Sequence, residues 1–115
     1  MLIKNETLIK VYTPKDTIIV PENVKIIQKC AFNSVSCQKV ILPETLEVIE
    51  PMSFLFCSLQ EINIPDNVKM YHDSFFECLR LNNIIISEEK FQEIKPYMHK
   101  YFGYCIPRVN GKKLV

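Results

Sequence analysis

Five cysteines and two histidines carry the most reactive chemistry available to this chain: Cys30, Cys37, Cys57, Cys78, Cys105, His72 and His99. Three kinds of site would use them. A thiol nucleophile needs a base within about 3 Å and an electropositive, partly open setting. A structural zinc site needs four ligands, which typically arrive in close sequence pairs. A disulfide framework goes with an even count and an export signal. The spacing favours none of them: the count is odd, no C-x-x-C pair occurs, and neither histidine sits close to a cysteine pair. Reduced, buried thiols are therefore expected, because free cysteine is among the most buried residue types. A reducing compartment, the cytoplasm, fits that expectation.

Other site chemistries lack their residues. Gly103 and Gly111 are the only glycines, so no Gly-rich phosphate loop can form. The paired carboxylates Glu88 and Glu89 are better explained as a helix start. With a net charge of +1 there is no electrostatic case for nucleic acid or an anionic membrane. Lys25 and Lys69 align with Glu47 between them, and no aromatic platform interleaves with them. Runs such as Ile84–Ile86 are too short to span a bilayer, and Met1–Lys10 lacks the continuous apolar stretch of a signal peptide. The chain reads as a single domain without catalytic, cofactor or metal site.

What the sequence does contain is a repeat. Pro21, Pro43 and Pro65 stand twenty-two residues apart, and stacking the chain on them aligns apolar columns without a gap. The columns are Val24/Leu46/Val68, Ile27/Ile49/Tyr71, Phe32/Phe54/Phe76, Val35/Cys57/Leu79, Cys37/Leu59/Leu81, Val40/Ile62/Ile84 and Leu42/Ile64/Ile86. Ile18 and Val20 extend the last two backward. A unit this short cannot close its own core and must stack on its neighbours. Each row ends in alternating, β-branched residues that predict a short strand, so stacked rows predict a parallel sheet. Proline ends each strand, having no N–H for the ladder. The i, i+3 spacing of Val24 and Ile27 suits one helical or 3₁₀ turn on the return path.

The segment from Ile19 to Phe32, with Val20-Pro21, Val24, Ile27 and Ala31-Phe32 at fixed offsets, resembles the BspA-like leucine-rich repeat pattern. Pro43, Leu46, Ile49, Ser53-Phe54, Cys57 and Ile62-Asn63-Ile64 match it again. In the third row Ser74-Phe75 with Cys78 fits the family's Phe-x-x-Cys, whereas gapless spacing selects Phe76. Gln28, Glu50 and His72 stand where the family often has glycine. The likeness spans roughly residues 7–87 and implies an α/β leucine-rich-repeat solenoid, used as an interaction surface and without an active site.

Repeat stacks need capped ends. Residues 1–16 are expected to form an N-terminal strand cap, 17–86 the repeats, and 87–115 a C-terminal helical cap and tail. In the last of these, Ser87 serves as N-cap for a helix bearing Phe91, Ile94, Met98 and Tyr101 on one face, with Pro96 interrupting it and Gly103 ending it. Val109 to Lys112 reads as a hairpin-type turn.

With Val40 and Leu42 pointing inward, period-two alternation turns their neighbours outward. One outward column is Ile19, Ile41, Asn63, Ile85 and the next is Thr17, Lys39, Glu61, Asn83. Isoleucines on a solvated face mark an interface. The expectation is a module that binds another protein through Ile19, Lys39, Ile41, Glu61, Asn63, Asn83 and Ile85. The alternative is a self-associating structural repeat, a homodimer.

Overall fold

The computed structural model describes residues 1–114. In chain order its elements are β1 (Leu2–Lys4), β2 (Thr7–Lys10), β3 (Thr17–Ile19), β4 (Ile26–Ile27), β5 (Lys39–Ile41), β6 (Val48–Ile49), β7 (Glu61–Asn63), β8 (Lys69–Met70) and β9 (Asn83–Ile85). Then come α1 (Glu88–Ile94), a 3₁₀ turn over Lys95–Tyr97, α2 (Met98–Phe102) and β10 (Arg108–Val109).

The row-ending strands form one parallel ladder, β3-β5-β7-β9-β10. Its register keeps the proline interval: Thr17 faces Lys39, Lys39 faces Glu61, and Glu61 faces Asn83. The return path departs from the expected helical turn. A turn does form, closed by Val24 N–H donating to Pro21 O, Leu46 to Pro43 and Val68 to Pro65. It leads into a two-residue strand, and these strands build a second ladder, β1-β2-β4-β6-β8. An extended pair gains a backbone partner in the next row at each rung, as when Gln28 N donates to Leu8 O and Glu50 N to Ile27 O.

The two ladders face each other across the core. Ile18, Val40, Ile62 and Ile84 enter from one side, and Leu8, Ile27, Ile49 and Met70 from the other, all buried. Met70 replaces Tyr71 in its column: Val48 pairs with Lys69 and Ile49 with Met70, one residue short of the interval. Phe75, fully buried, is accordingly the third core phenylalanine, and Cys78 takes the column place assigned to Leu79, which is 68% exposed. The interval is restored at Leu81, which is buried with Leu59 and Cys37. The third row thus loses a residue before Lys69 and regains one between Cys78 and Leu81. The shift keeps Ser74 in the place of Ser53; both hydroxyls are fully buried and bond to carbonyls of the turn and the preceding row. Left-handed backbone follows the same register, at Cys30, Met52 and Asp73 and again at Ser34, Phe56 and Glu77.

Phe32, Phe54, Phe75 and Phe102 form a continuous ring stack, with centroids 4.5, 4.9 and 4.9 Å apart. Phe102 arrives from α2, where Lys100 and Tyr101 carbonyls accept from Asp73 and Phe75 amides as a further row would. The Ser87 hydroxyl accepts from Lys90 N at 3.1 Å and fixes the start of α1. Phe91, Ile94 and Met98 are buried, whereas Tyr101 is only half-buried beside Phe102.

The N-terminal segment folds as a β1–β2 hairpin, and β2 pairs in parallel with β4 as the first rung of the second ladder. The tail also does more than turn. Asn110 and Gly111, at φ 50° and 81°, make the expected turn, and just before it Arg108–Val109 pairs with β9 as a fifth rung.

Candidate functional site

Alternation along three-residue strands decides which side chains leave the core. In β3, β5, β7 and β9 the middle residue is buried and its neighbours face outward. Ile19 is 64% exposed, Ile41 37% and Ile85 45%. They lie on one column of a hydrogen-bonded ladder, so their spacing is set by backbone pairing rather than by flexible loops.

Asn63 occupies the same column and behaves differently. Its carboxamide oxygen accepts from Leu42 N at 2.7 Å and its amide donates to Leu42 O at 2.9 Å. Asn110, one rung past Ile85, does the same to Ile86 N and O at 3.0 and 2.8 Å. Both side chains take bonds a strand partner's backbone would make, and Asn63 commits one donor and one acceptor to the chain itself.

The neighbouring polar column is also tied together. The Lys39 ammonium lies 3.4 Å from Glu61, Asn83 donates to the other Glu61 oxygen at 2.9 Å, and Gly111 N donates to Asn83 at 2.7 Å. The Asn83 amide first, and the Lys39 ammonium after it, hold the Glu61 carboxyl below the usual carboxylate range, against partial burial. Lys39 stays exposed, while Glu61 and Asn83 are half-buried. The seven residues expected at the face are therefore brought together: Ile19, Ile41 and Ile85 in one column that Asn63 interrupts, and Lys39, Glu61 and Asn83 as a linked polar column beside it.

The thiols are placed differently from one another. Cys37, Cys57 and Cys78 are buried, whereas Cys30 and Cys105 are only partly so, contrary to the expectation of five buried thiols. Burial pushes Cys78 up to about 12, and its thiol donates to Phe54 O at 2.8 Å. Cys57 is also pushed upward, chiefly by its hydrogen bond with Cys37. His72 and His99 are exposed.

A second apolar surface was hidden by the gapless alignment. Phe56, Leu79 and Tyr104 are 56%, 68% and 99% exposed, and a cleft of about 610 Å³ runs beside Leu79, Phe76 and Tyr104. Setting the third row on Phe75 instead of Phe76 turns Phe76 and Leu79 outward. Consecutive Phe75-Phe76 was the available signal.

Across this chain, the family model for the BspA type leucine rich repeat region matches residues 9–109 in six copies. No curated protein matches it.

Proposed function

The chain belongs to the BspA-type leucine-rich repeat family, and from that membership we propose a non-enzymatic module that binds another protein through the outward face of its β3-β5-β7-β9-β10 ladder. Repeats of this kind generally serve protein–protein interaction and are typically not enzymes. We read the two ladders as a solenoid, with the β1–β2 hairpin as one cap and α1, α2 and the tail as the other. The observation that carries the reading is the isoleucine column: Ile19, Ile41 and Ile85 are exposed on a rigid sheet whose core does not need them. Binding would bury these three side chains at the centre, with Lys39, Glu61 and Asn83 at the rim giving register. Asn63 belongs to the frame of that face and not to its contacts. The setting in this reading is a reducing compartment such as the cytoplasm, supported by an odd number of cysteines and the burial of Cys37, Cys57 and Cys78.

A photoreactive residue at position 41, irradiated in native lysate, tests the proposal against the same residue at position 89 on α1. A protein cross-linked from 41 and not from 89 supports it; equal or absent labelling at 41 contradicts it.

Self-association is the second reading, favoured by one observation. Strand β3 is the outer strand of its ladder, and Ile19 on it is the most exposed of the column. An unpaired edge with an apolar neighbour is a site for another copy. A mass by light scattering that stays monomeric across concentration removes this reading.

A further inference from the structure

Cys37 and Cys57 come from successive rows, and their sulfur atoms lie 3.8 Å apart. A disulfide needs about 2.05 Å between sulfurs, so bond formation asks for side-chain rotation and slight settling of two rows already held together. The backbone around them is tied across rows: Cys37 N donates to the Ser58 hydroxyl at 3.2 Å and Ser58 N to Val35 O at 3.1 Å.

Both residues are buried, Cys57 at 1% exposure and Cys37 at 5%, and they differ in what lies beside them. Cys37 lines an open cleft of about 500 Å³, which Lys15, Asp16, Ser58 and Arg80 also border. Two cations against one carboxylate give that cleft a positive balance. The thiols differ in acidity as well. The hydrogen-bonding contact with Cys57 holds the Cys37 thiol below its ordinary value, and the same contact pushes Cys57 up. Cys37, the cysteine that lines the cleft, is thus the better nucleophile, since the thiolate is the attacking species.

The geometry points to Cys37 and Cys57 as a reactive dithiol that closes to a disulfide by exchange with an anionic low-molecular-weight disulfide admitted through the Lys15–Arg80 cleft. In the first step the Cys37 thiolate attacks one sulfur of the reagent. A protein–reagent disulfide forms, the reagent's own S–S bond breaks, and the first thiol leaves with the proton Cys37 gave up. With Cys37 no longer anionic, the largest influence raising Cys57 is gone. Cys57 then loses its proton to the departing group and attacks the Cys37 sulfur. The Cys37–Cys57 bond forms and the second thiol leaves. The protein has lost two electrons and two protons, and the reagent disulfide has been reduced to two thiols. The product links two rows through the core, while Cys78, hydrogen-bonded to Phe54 O, takes no part.

The reduced full chain is incubated in glutathione buffers of increasing oxidised fraction, free thiols are alkylated, and peptides are mapped. The expected map links Cys37 to Cys57, with Cys78 alkylated after unfolding and the partly exposed Cys30 and Cys105 as reactivity controls. Glutathione disulfide, which is anionic, is expected to react at Cys37 about tenfold or more faster than cationic cystamine. In Cys57→Ala the glutathione adduct on Cys37 persists, because the resolving thiol is gone. In Cys37→Ala no adduct forms at Cys57. If either variant fails to fold, the wild-type map decides alone. Absence of the Cys37–Cys57 link in buffers that modify Cys30 or Cys105, or a first adduct on Cys57, overturns the proposal.

Discussion

The Lys90 ammonium donates to the main-chain carbonyl of Val68 at 2.6 Å from a side chain that is almost wholly buried. Val68 immediately precedes β8, the last strand of the second ladder. In each earlier row the equivalent carbonyl is met by the next row's amide: Glu6 O by Lys25 N, Lys25 O by Glu47 N, and Glu47 O by Lys69 N. Lys90 takes the place of the amide that a further repeat would supply, and Glu93 balances its charge at 2.6 Å. Lys90→Met keeps the apolar stem and deletes the donor. It is expected to cost about 1–3 kcal/mol, the penalty for a buried carbonyl left without a partner. An unchanged urea midpoint would mean that water satisfies Val68 equally well.

The ring stack gives a test of register. Phe54 and Phe75 are fully buried, whereas Phe76 is not. Phe54→Ala and Phe75→Ala are each expected to lose about 3–5 kcal/mol, most of the stability of a domain this size. Phe76→Ala is expected to lose less than about 1 kcal/mol. Denaturant melts of the three variants check this, and a loss at Phe76 equal to that at Phe75 would contradict the shifted third row.

Asn63→Ala removes both bonds to Leu42 and leaves its N–H and carbonyl short of partners on the face side. A loss of about 1–3 kcal/mol in a urea melt is expected. A variant as stable as the parent would return Asn63 to the set of contact residues.

Much of this could be read in advance, and the failures have physical causes. The phase of the strands was legible at Ile41 and Leu42, because period-two alternation fixes one side once the other is apolar. The Phe75 register was obscured because a loss before Lys69 and a gain before Leu81 cancel over one row. Strands of two residues, such as Val48–Ile49, leave no periodicity, so the second ladder looked like a turn. Lys90 and Asn63 act on backbone groups about one repeat away, and nothing in their types or local spacing announces that. Arg108–Val109 falls after two helices, outside the rows on which the alignment rested.

Glu61 supplies a pH dependence whose sign is fixed. Its carboxyl is held below the usual range in the folded chain, by Asn83 and then Lys39. The unfolded chain therefore binds its proton more readily, and the resulting stability is present above the unfolded value of about 4.3. That stability disappears as pH falls through the lower folded value. In Glu61→Gln this part of the acid loss is expected to vanish. Urea midpoints at neutral and acid pH, compared between parent and variant, check it; an identical acid loss in both would contradict the assignment.

In the proposed binding mode Ile41 meets the partner while Leu42 beside it holds the fold. Ile41 is exposed and Leu42 is 2% exposed. The decisive measurement is a paired melt and binding titration of Ile41→Asp, with Leu42→Asp as the folding control and the cross-linked partner as ligand. Leu42→Asp buries an unpaired charge and is expected to unfold the domain. Ile41→Asp is expected to melt within about 0.5 kcal/mol of the parent, yet to bind more than about tenfold more weakly, as loss of a central anchor does. A folded Ile41→Asp that binds its partner with unchanged affinity would place the interface away from the isoleucine column.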